Sequence, residues 1–535
     1  MRTSCFAIAS FLAIFFIPFS WATSYEDFVN CLEDNSHPSY PTSSIIYTRD
    51  NPSYSSVLQT YIRNLRFNET TMPKPLLIIT ALHASHIQAS IVCAKQHHLQ
   101  MKIRSGGHDY EGISYWSENP FFILDLFNLS AINVSIETES AWVQTGATMG
   151  EVFYRIAEKS KTHGFPAGVE PTVGVGGHIS GGGYGNMMRK YGLTVDNIVD
   201  AEVINVNGRI LDRKAMGEDL FWAISGGGAS SFVVLLSYKI KLVKVPAKVT
   251  VFNVARTLEQ NATDLVYRWQ HVADKLHDDI FIRLILKVIN DSSSGQKTIR
   301  ATFFTLFLGD SNQLLSLLDH SFPELGLKKS DCIEMSWLES VVYYNSNLTG
   351  STVKDLLQRQ IPHRTLFKRK SDYLKKPIPR KGLKSIFKKM VELEYPVQLT
   401  FNPYGGKMAR ISPSAKPFPH RKGNICKIQY AIDWDDGGVE AANCHVESTR
   451  KLYDYMTPYV SKSPRESFWN YRDLDLGINH NNGEVQSYTQ GAAYGIKYFK
   501  AANFNRLVMI KTKVDPTNFF RNEQSIPLLP SFRKK

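Results

Sequence analysis

Two spacings of apolar residues run through the first 245 positions of the chain, and together they predict helices mixed with strands. Apolar runs predict strands at 75–80, 99–110, 121–126, 140–147 and 231–243. Spacings of three and four predict helices at 24–35, 86–97, 148–159 and 218–225, with Thr148 as an N-cap. The dipeptide Asn207–Gly208 predicts a hairpin across 199–212. Because strands and helices mix without regular alternation, we expect an α+β fold.

The pattern changes after about position 250 and predicts a large sheet backed by helices. Strands are expected at 301–309, 395–406 and 426–434, and amphipathic helices at 312–320 and 380–393. The tail from position 468 is rich in polar and aromatic residues, so we expect it to join the same fold.

The first 22 residues have the pattern of a secretory signal peptide. Arg2 precedes an apolar stretch from Cys5 to Phe19, and Ser20-Trp21-Ala22 resembles a cleavage site. An uncleaved membrane anchor is the alternative, against which the short run argues. Six N-x-S/T sequons favour a secretory glycoprotein: Asn68, Asn128, Asn133, Asn261, Asn290 and Asn347. We expect no membrane span after cleavage, and an extracellular, apoplastic or vacuolar location.

Composition and charge exclude several classes of protein. With 43% apolar and 21% charged residues, the chain is globular rather than disordered. The net charge is +13, but Lys and Arg are dispersed outside 367–384, and secretion argues against a nucleic-acid partner. Cys31 and Cys93 could pair in an oxidising compartment. The other cysteines lack metal-ligand spacing, so we expect no metal site.

Glycines cluster at 106–107, 174–185 and 226–228, and seven of the twelve residues from 174 to 185 are glycine. Glycine lets a ligand touch the main chain, and adjacent N–H groups can form an anion-binding concavity suited to a pyrophosphate. Tight turns would explain any one cluster. No G-x-G-x-x-G, Walker A or G-x-S-x-G motif occurs. Three clusters, two of them beside a histidine, favour a dinucleotide cofactor.

Five motifs in order resemble those of the plant berberine bridge enzyme-like flavoproteins, a group that includes cannabinoid-type oxidocyclases and the mulberry moracin oxidase with its Diels–Alder relatives. They are RSGGHDYEG (104–112), PTVGVGGHISGGGYG (171–185), GEDLFWAISGGG (217–228), NYRDLDLG (470–477) and VDPTNFFRNEQSIP (514–527). The resemblance covers essentially the whole mature chain. It implies a vanillyl-alcohol-oxidase (PCMH)-type FAD domain at 23–245, a substrate domain at 246–467 and a segment at 468–535 that returns to the flavin.

The resemblance implies that FAD is attached through its 8α-methyl group to His108. A neutral imidazole is a suitable nucleophile, and the glycines beside it let the ring edge approach; without the motif, a lone histidine would be expected to be a core residue. The resemblance also implies a set of cofactor-binding residues: Ser105, Gly106, Gly107, His108, Glu170, Thr172, Val173, Gly174, Gly176, Gly177, His178, Ser180, Gly181, Gly182, Gly183, Tyr184, Gly185 and Asn518.

The chain departs from the family pattern at Glu170, where relatives commonly carry a cysteine bonded to flavin C6. A carboxylate cannot form that thioether, so we expect a flavin held by one bond. Its negative charge would oppose the anionic reduced flavin; the alternatives are a rotated or protonated Glu170, or a loop that tolerates the loss. Ser225, Ala229 and Val233 replace an arginine and two glycines, and Val233 would reshape the pocket.

The family positions for catalysis are Tyr110, Tyr184, Lys427, Gln429 and Tyr471. Lys427 and Gln429 alternate on a predicted strand and can face one cleft. A phenolate stabilised by a nearby lysine would have a lowered pKa and act as a base near neutral pH. Val173 lies where the family tunes oxygen access, and its small side chain favours an oxidase over a dehydrogenase.

Three enzymatic functions follow. The first is an FAD-linked oxidase that acts on a phenolic or prenylated, isoprenoid-derived plant metabolite with O2 as acceptor, and so forms hydrogen peroxide. The second is a redox-neutral Diels–Alder cyclase with structural FAD, which needs only proximity and hydrogen bonds; Glu170 and the altered 225–233 segment favour it. The third is carbohydrate oxidation. A non-catalytic glycoprotein is the remaining alternative, and His108 and the tail motifs argue against it.

Overall fold

The structure is a computed structural model that describes residues 21–291, 295–345, 350–360, 364–435, 437–479 and 487–530. Of the predicted signal peptide, only Trp21 and Ala22 fall within these ranges, at the start of the first helix. The sequon at Asn347 lies outside them. Within the described ranges, no helix has the length and apolar character needed to cross a membrane.

Helices and strands alternate irregularly along the chain. The helices are α1 Trp21–Asn35, α2 Tyr54–Thr60, α3 Ala84–Gln96, α4 Met149–Lys159, α5 Val175–Ser180, α6 Met188–Tyr191, α7 Arg213–Ile224, α8 Ala262–Val272, α9 Ser311–Ser321, α10 Trp337–Tyr344, α11 Arg380–Glu392, α12 Lys407–Arg410, α13 Val439–Tyr455 and α14 Tyr488–Val514. The strands are β1 Ile46–Thr48, β2 Leu77–Thr80, β3 Gln100–Arg104, β4 Phe121–Asp125, β5 Ile132–Ser135, β6 Ser140–Gln144, β7 His163–Gly164, β8 Ile198–Ile204, β9 Ile210–Leu211, β10 Val234–Lys241, β11 Val243–Lys244, β12 Val249–Thr257, β13 Ile280–Asn290, β14 Lys297–Phe307, β15 Ile333–Met335, β16 Leu366–Leu374, β17 Gln398–Pro403 and β18 Cys426–Trp434.

Local sequence signals explain several element boundaries. At the start of α4, Thr148 accepts the Glu151 N–H at 3.3 Å while the Glu151 carboxylate accepts the Thr148 N–H at 2.8 Å, as the predicted N-cap requires. The Asn207–Gly208 turn joins the antiparallel pair β8–β9. Within α7, Gly217 is non-helical with φ 74°, so the helix predicted at 218–225 follows it and ends at Ile224. The Asp212 carboxylate caps the turn before Gly217 by accepting the Ala215 N–H at 2.7 Å.

Within the described first half of the chain, three sheets frame the glycine segments. Their strand orders are β1-β2-β4-β3, with β2, β4 and β3 parallel, β5-β6-β10-β8-β9, which is antiparallel, and the short pair β11-β7. A disulfide between Cys31 and Cys93 links α1 to α3, so the predicted pairing is confirmed. β3 ends at Arg104, directly before the turn at Gly106–Gly107, and so this turn is fixed to the parallel sheet.

The second half of the described chain forms one seven-stranded antiparallel sheet, in the order β15-β12-β14-β13-β17-β18-β16. Buried residues of α8, α9, α11 and α13 share an apolar core with this sheet. Arg189, from the first half, is 1% exposed and donates to the carbonyls of Ala273, Leu276, Ile280 and Tyr404. This buried guanidinium holds the sheet against the glycine-rich part of the chain.

Candidate active site

A cavity of about 390 Å³ lies where the glycine segments, β13 of the large sheet and the C-terminal tail meet. Its walls include Gly106 and Gly107 after β3, Arg283 on β13 and Tyr471 in the tail. Every part of the chain that carries one of the five motifs therefore contributes residues to one space.

Glycine is required where two motif segments touch. A Cβ on Gly106 would lie 2.3 Å from the backbone nitrogen of Gly174, and one on Gly174 would lie 2.2 Å from Ser105 Oγ, so neither position can carry a side chain. Within the described residues, the N–H groups of Gly106 and Gly107 have no acceptor. Adjacent unpaired donors at a cavity wall fit an anionic group such as a pyrophosphate.

Most of the predicted cofactor residues line this cavity: Ser105, Gly106, Gly107, His108, Glu170, Val173, Gly174, Gly176, Gly177, His178, Ser180, Tyr184 and Gly185. His178 also has a structural role, because its Nε2 accepts the Gly168 N–H at 3.1 Å. Burial lowers the pKa of His178 to about 4, and the positive charge of Lys427 adds to the shift. His178 is therefore neutral at physiological pH.

Five predicted cofactor residues lie outside the cavity lining: Thr172, Gly181, Gly182, Gly183 and Asn518. Gly183 has φ +62° and donates its N–H to Asn470 Oδ1 at 2.9 Å. It is glycine because its φ is positive and a Cβ would collide with Thr194 and His178, so close packing within the first half of the chain explains it. The Asn518 side chain does not reach the cavity, although Arg521 and Asn522 of the same segment do.

A hydrogen-bonded chain joins Glu170 to His108. Thr172 Oγ1 lies 2.8 Å from His108 Nε2 and donates to Glu170 Oε1 at 2.9 Å. The other carboxylate oxygen accepts from Asn345 Nδ2 at 2.9 Å. Glu170 lines the cavity, and its carboxylate is held by two donors, Thr172 and Asn345.

Three phenols stand together in the wall of the same cavity. The hydroxyls of Tyr184 and Tyr471 are in direct contact, and the rings of Tyr110 and Tyr471 stack at 5.4 Å between centroids. Gln429 Nε2 donates to the Tyr110 hydroxyl at 2.9 Å, and Lys427 Nζ lies 3.2 Å from the centroid of the Tyr184 ring. Lys427 and Gln429 do not line the cavity; they face it from behind the phenols, from alternate positions of β18.

The expected lowering of the phenol pKa is wrong for this site. Burial raises the pKa of Tyr110, Tyr184 and Tyr471 above 10.0. Burial lowers the pKa of Lys427 well below 10.5, and the nearby guanidinium of Arg283 lowers it further. The proton therefore resides on the phenols while the lysine is driven toward its neutral form, because each group avoids charge in a poorly solvated environment.

Several cavity residues were missed by the sequence analysis. Asn470 binds the glycine segment 174–185 twice, through the Gly183 N–H and through the Gly177 carbonyl at 3.0 Å. Arg283 donates to Asn402 Oδ1 at 2.8 Å, and within the described residues it forms no ion pair with a carboxylate. Asn470 lies inside a quoted motif and could have been found from it, whereas Arg283 stands alone in an ordinary strand pattern.

Of the three residues that differ from the family pattern at 225–233, two line the cavity and one does not. Val233 and Ala229 line the cavity, and Val233 is 1% exposed, so its branched side chain narrows the space beside the glycines. Ser225 is buried away from the cavity and donates its hydroxyl to the Phe221 carbonyl at 2.6 Å.

Similar proteins share both the sequence and the fold. Family profiles described as "FAD binding domain" and "Berberine and berberine like" match residues 75–213 and 467–527. The chain is 60% identical to Berberine bridge enzyme-like 8 of Arabidopsis thaliana over 98% of this chain and 99% of that protein. It is 50% identical to tetrahydroberberine oxidase of Berberis wilsoniae over 98% and 99%.

A solved structure of the grass pollen allergen Phl p 4, named a glucose dehydrogenase, superposes with a TM-score of 0.88 at 41% identity, and covers 94% of this chain and 100% of its own. A variant of that allergen with isoleucine replaced by valine is named a glucose oxidase. These similarities confirm the expected α+β fold of the PCMH type and an FAD-binding domain. The chain therefore belongs to the berberine bridge enzyme-like family of FAD-dependent oxidoreductases, which act on small molecules.

Proposed function

We propose that this enzyme oxidises a phenolic or prenylated plant metabolite, or cyclises it oxidatively, with O2 as the electron acceptor. The observation that carries the proposal is the cluster of Tyr110, Tyr184 and Tyr471, which lines the same cavity as the glycine segments. Aromatic walls and buried hydroxyls suit an aromatic substrate that must lose a hydroxyl proton.

The residues at the glycine end fit FAD. His108 would hold the flavin covalently, the N–H groups of Gly106 and Gly107 would meet its pyrophosphate, and Glu170 leaves no thiol for a second bond. When bound, FAD supplies a two-electron acceptor for substrate hydride. The protein binds the substrate against the aromatic wall and removes its hydroxyl proton.

Lys427 is the base that best fits the site. Its pKa is lowered by burial, so its amine can take up a proton, whereas the phenols are held in their protonated form. Lys427 Nζ lies over the Tyr184 and Tyr471 rings, 3.2 and 4.2 Å from their centroids, and the hydroxyls of these two tyrosines contact each other. We propose that the substrate proton passes through Tyr471 and Tyr184 to Lys427.

Val173 supports O2 as the acceptor. It lines the cavity beside Gly174 and carries a small side chain. In Phl p 4, the exchange of one isoleucine for valine accompanies a change of name from glucose dehydrogenase to glucose oxidase.

Two other functions retain specific support. Glu170 and Val233 differ from the family pattern within the cavity lining, which favours a redox-neutral cyclase with structural FAD. The names of the Phl p 4 structures favour carbohydrate oxidation. We also carry forward the signal peptide, the sequons and the domain boundaries at 22, 245 and 467 as proposals.

Parallel assays in air and under anaerobic conditions test these functions. Prenylated phenols, monolignol-type alcohols and glucose are supplied to the purified enzyme, and product and hydrogen peroxide are measured. In air, we expect hydrogen peroxide and an oxidised phenolic product in equal amounts. Without O2, we expect no more than one molecule of product per molecule of enzyme. Undiminished anaerobic product would identify the cyclase, and turnover of glucose alone would identify the carbohydrate oxidase.

A further inference from the structure

Glu170, Thr172 and His108 form a continuous hydrogen-bonded chain at the edge of the cavity. The Glu170 Oε1–Thr172 Oγ1 distance is 2.9 Å, and the Thr172 Oγ1–His108 Nε2 distance is 2.8 Å. Asn345 fixes the far end of the chain by donating to Glu170 Oε2 at 2.9 Å. Thr172 is 3% exposed, so bulk water does not compete for its hydroxyl.

The number of hydrogens available determines which group donates and which accepts in each of these hydrogen bonds. A threonine hydroxyl has one hydrogen, and an ionised carboxylate can only accept. The Thr172 hydrogen is therefore given to Glu170, and the Thr172 oxygen must accept a hydrogen from His108 Nε2. The hydrogen bond made at one nitrogen of a neutral imidazole determines which of its two nitrogens carries the proton.

The state of His108 leaves one nitrogen available. Burial lowers the pKa of His108 well below 6.5, and the cation of Arg63 lowers it further, while hydrogen bonding with Thr172 opposes the shift. The neutral ring has a single N–H, and the hydrogen bond to Thr172 places this N–H at Nε2. Within the described residues, Nδ1 has no hydrogen-bond partner, and His108 lines the cavity.

We propose that Glu170 and Thr172 are positioning residues that hold His108 as the Nε2–H tautomer and leave the Nδ1 lone pair as the nucleophile for flavin attachment. The inference rests on the proposed covalent FAD and goes beyond it, because it gives a role to the carboxylate that stands where relatives carry cysteine.

The attachment step balances with O2 as the oxidant. The bond that forms joins His108 Nδ1 to the 8α carbon of FAD, and one methyl C–H bond breaks, so that its two electrons reduce the flavin. The methyl proton is released, and the Nε2 proton leaves along Thr172 toward Glu170. O2 then takes up the two electrons with two protons and forms hydrogen peroxide. The negative Glu170 also stabilises the positive charge that develops on the ring as the bond forms.

The test measures attachment itself rather than turnover. Full-length protein from riboflavin-limited cultures is incubated with FAD in air, samples are denatured in acid, and the flavin that stays with the chain is followed over time. Thr172→Val removes the hydroxyl at nearly constant size, Thr172→Ser restores it, and Glu170→Gln removes the charge. Glu137→Gln, at an exposed position, is the matched control.

We expect Thr172→Val and Glu170→Gln to slow attachment by about tenfold or more, by analogy with the cost of a wrong histidine tautomer in other active sites. Thr172→Ser and Glu137→Gln should attach flavin at the wild-type rate. In the wild type, NMR of the flavinyl peptide should show linkage through Nδ1. Circular dichroism and the unfolding temperature show whether a variant is folded. If Thr172→Val is misfolded, the attachment rate of Glu170→Gln alone tests the inference.

Wild-type attachment rates in both Thr172→Val and Glu170→Gln would overturn the inference, and so would linkage through Nε2. Those results leave the proposed oxidase intact, since flavin would still be bound. A wild-type protein that binds no flavin at all would instead overturn the proposed function together with this inference.

Discussion

At the scale of single residues, the site is governed by burial rather than by the charges that neighbouring side chains offer. The sequence analysis placed Lys427 beside the phenols and expected it to lower their pKa. The structure places Lys427 there, but its own pKa falls and the pKa of Tyr471 rises, because both groups are buried. Solvation cannot be read from a motif, so the neighbours were predictable and the direction of the shift was not.

Replacing Lys427 distinguishes a base from a permanent cation. If the neutral amine accepts the substrate proton, Lys427→Arg should lose about as much kcat as Lys427→Met, roughly 10²-fold or more, because arginine stays protonated. Steady-state oxidation of the phenolic substrate, with flavin content measured in each variant, tests this expectation. Substantial activity in Lys427→Arg but not in Lys427→Met would show that the positive charge matters instead.

Glu170 should also influence the flavin potential. Its carboxylate lines the cavity, so replacing it by a neutral residue removes a charge that opposes the reduced flavin. We expect Glu170→Gln, which removes the charge without offering a thiol to flavin C6, to raise the two-electron potential by about 30 mV, equivalent to ~1.4 kcal/mol. A dye-coupled reductive titration measures this value, with Glu137→Gln as the surface control. A potential that does not rise would show that the electrostatic argument is wrong.

At the scale of elements, a buried charge cluster holds three segments of the chain around the phenols. Lys368 on β16 binds Glu111, which follows the Gly106–Gly107 turn, and Asp473 in the tail, the latter at 2.8 Å. Lys370 binds Asp473 at 2.6 Å. Burial would raise the pKa of Asp473, but Lys368 and Lys370 hold it below its usual value. The cluster therefore fixes the segments that present Tyr110 and Tyr471 to the cavity.

Removing the cation should destabilise the protein strongly. Lys368→Met leaves the buried Glu111 without its lysine partner and Asp473 with Lys370 alone, at a cost of about 3–5 kcal/mol in the free energy of unfolding. Urea unfolding at pH 7 measures this cost, and Lys376→Met, at an exposed position of the same segment, is the control. A loss below 1 kcal/mol would contradict a structural role for the cluster.

The same variant has a defined pH dependence. The pKa of Asp473 is depressed in the folded protein, so its stabilisation is present above the unfolded pKa of about 4 and is lost as the pH falls through the folded value. Glu111 has a raised pKa because of its burial, and it opposes part of this effect. The difference in stability between wild type and Lys368→Met should be largest near pH 7 and should shrink below pH 4.

Elements were predictable where the signal was local. The Thr148 cap and the Asn207–Gly208 turn each depend on residues close in sequence, and both were predicted. The contacts that assemble the site span long separations: Lys368 and Glu111 are 257 positions apart, and Arg189 reaches Tyr404 across 215. Patterns of three or four residues carry no information about such pairs, so the charge cluster and the Arg189 anchor were not predicted.

At the scale of the whole molecule, the active site exists only where distant parts of the chain meet. The glycine segments supply the part of the cavity that fits FAD, β13 supplies Arg283, and the tail returns with Tyr471 and Asn470. The resemblance implied this return of the tail, but the residues on β13 could not be inferred from it. The aromatic wall of the cavity is therefore built from distant parts of the chain, with Tyr110 and Tyr184 from the first half and Tyr471 from the tail.

The central claim is a flavin tethered to His108 alone, and the most direct test is the fate of the flavin on denaturation. The purified protein and a His108→Ala variant are precipitated in acid, and flavin fluorescence and peptide mass are measured. We predict that wild-type flavin stays with the chain on a single peptide containing His108, and that flavin in His108→Ala is released. A colourless wild-type protein, or flavin attached at any other residue, would contradict the account.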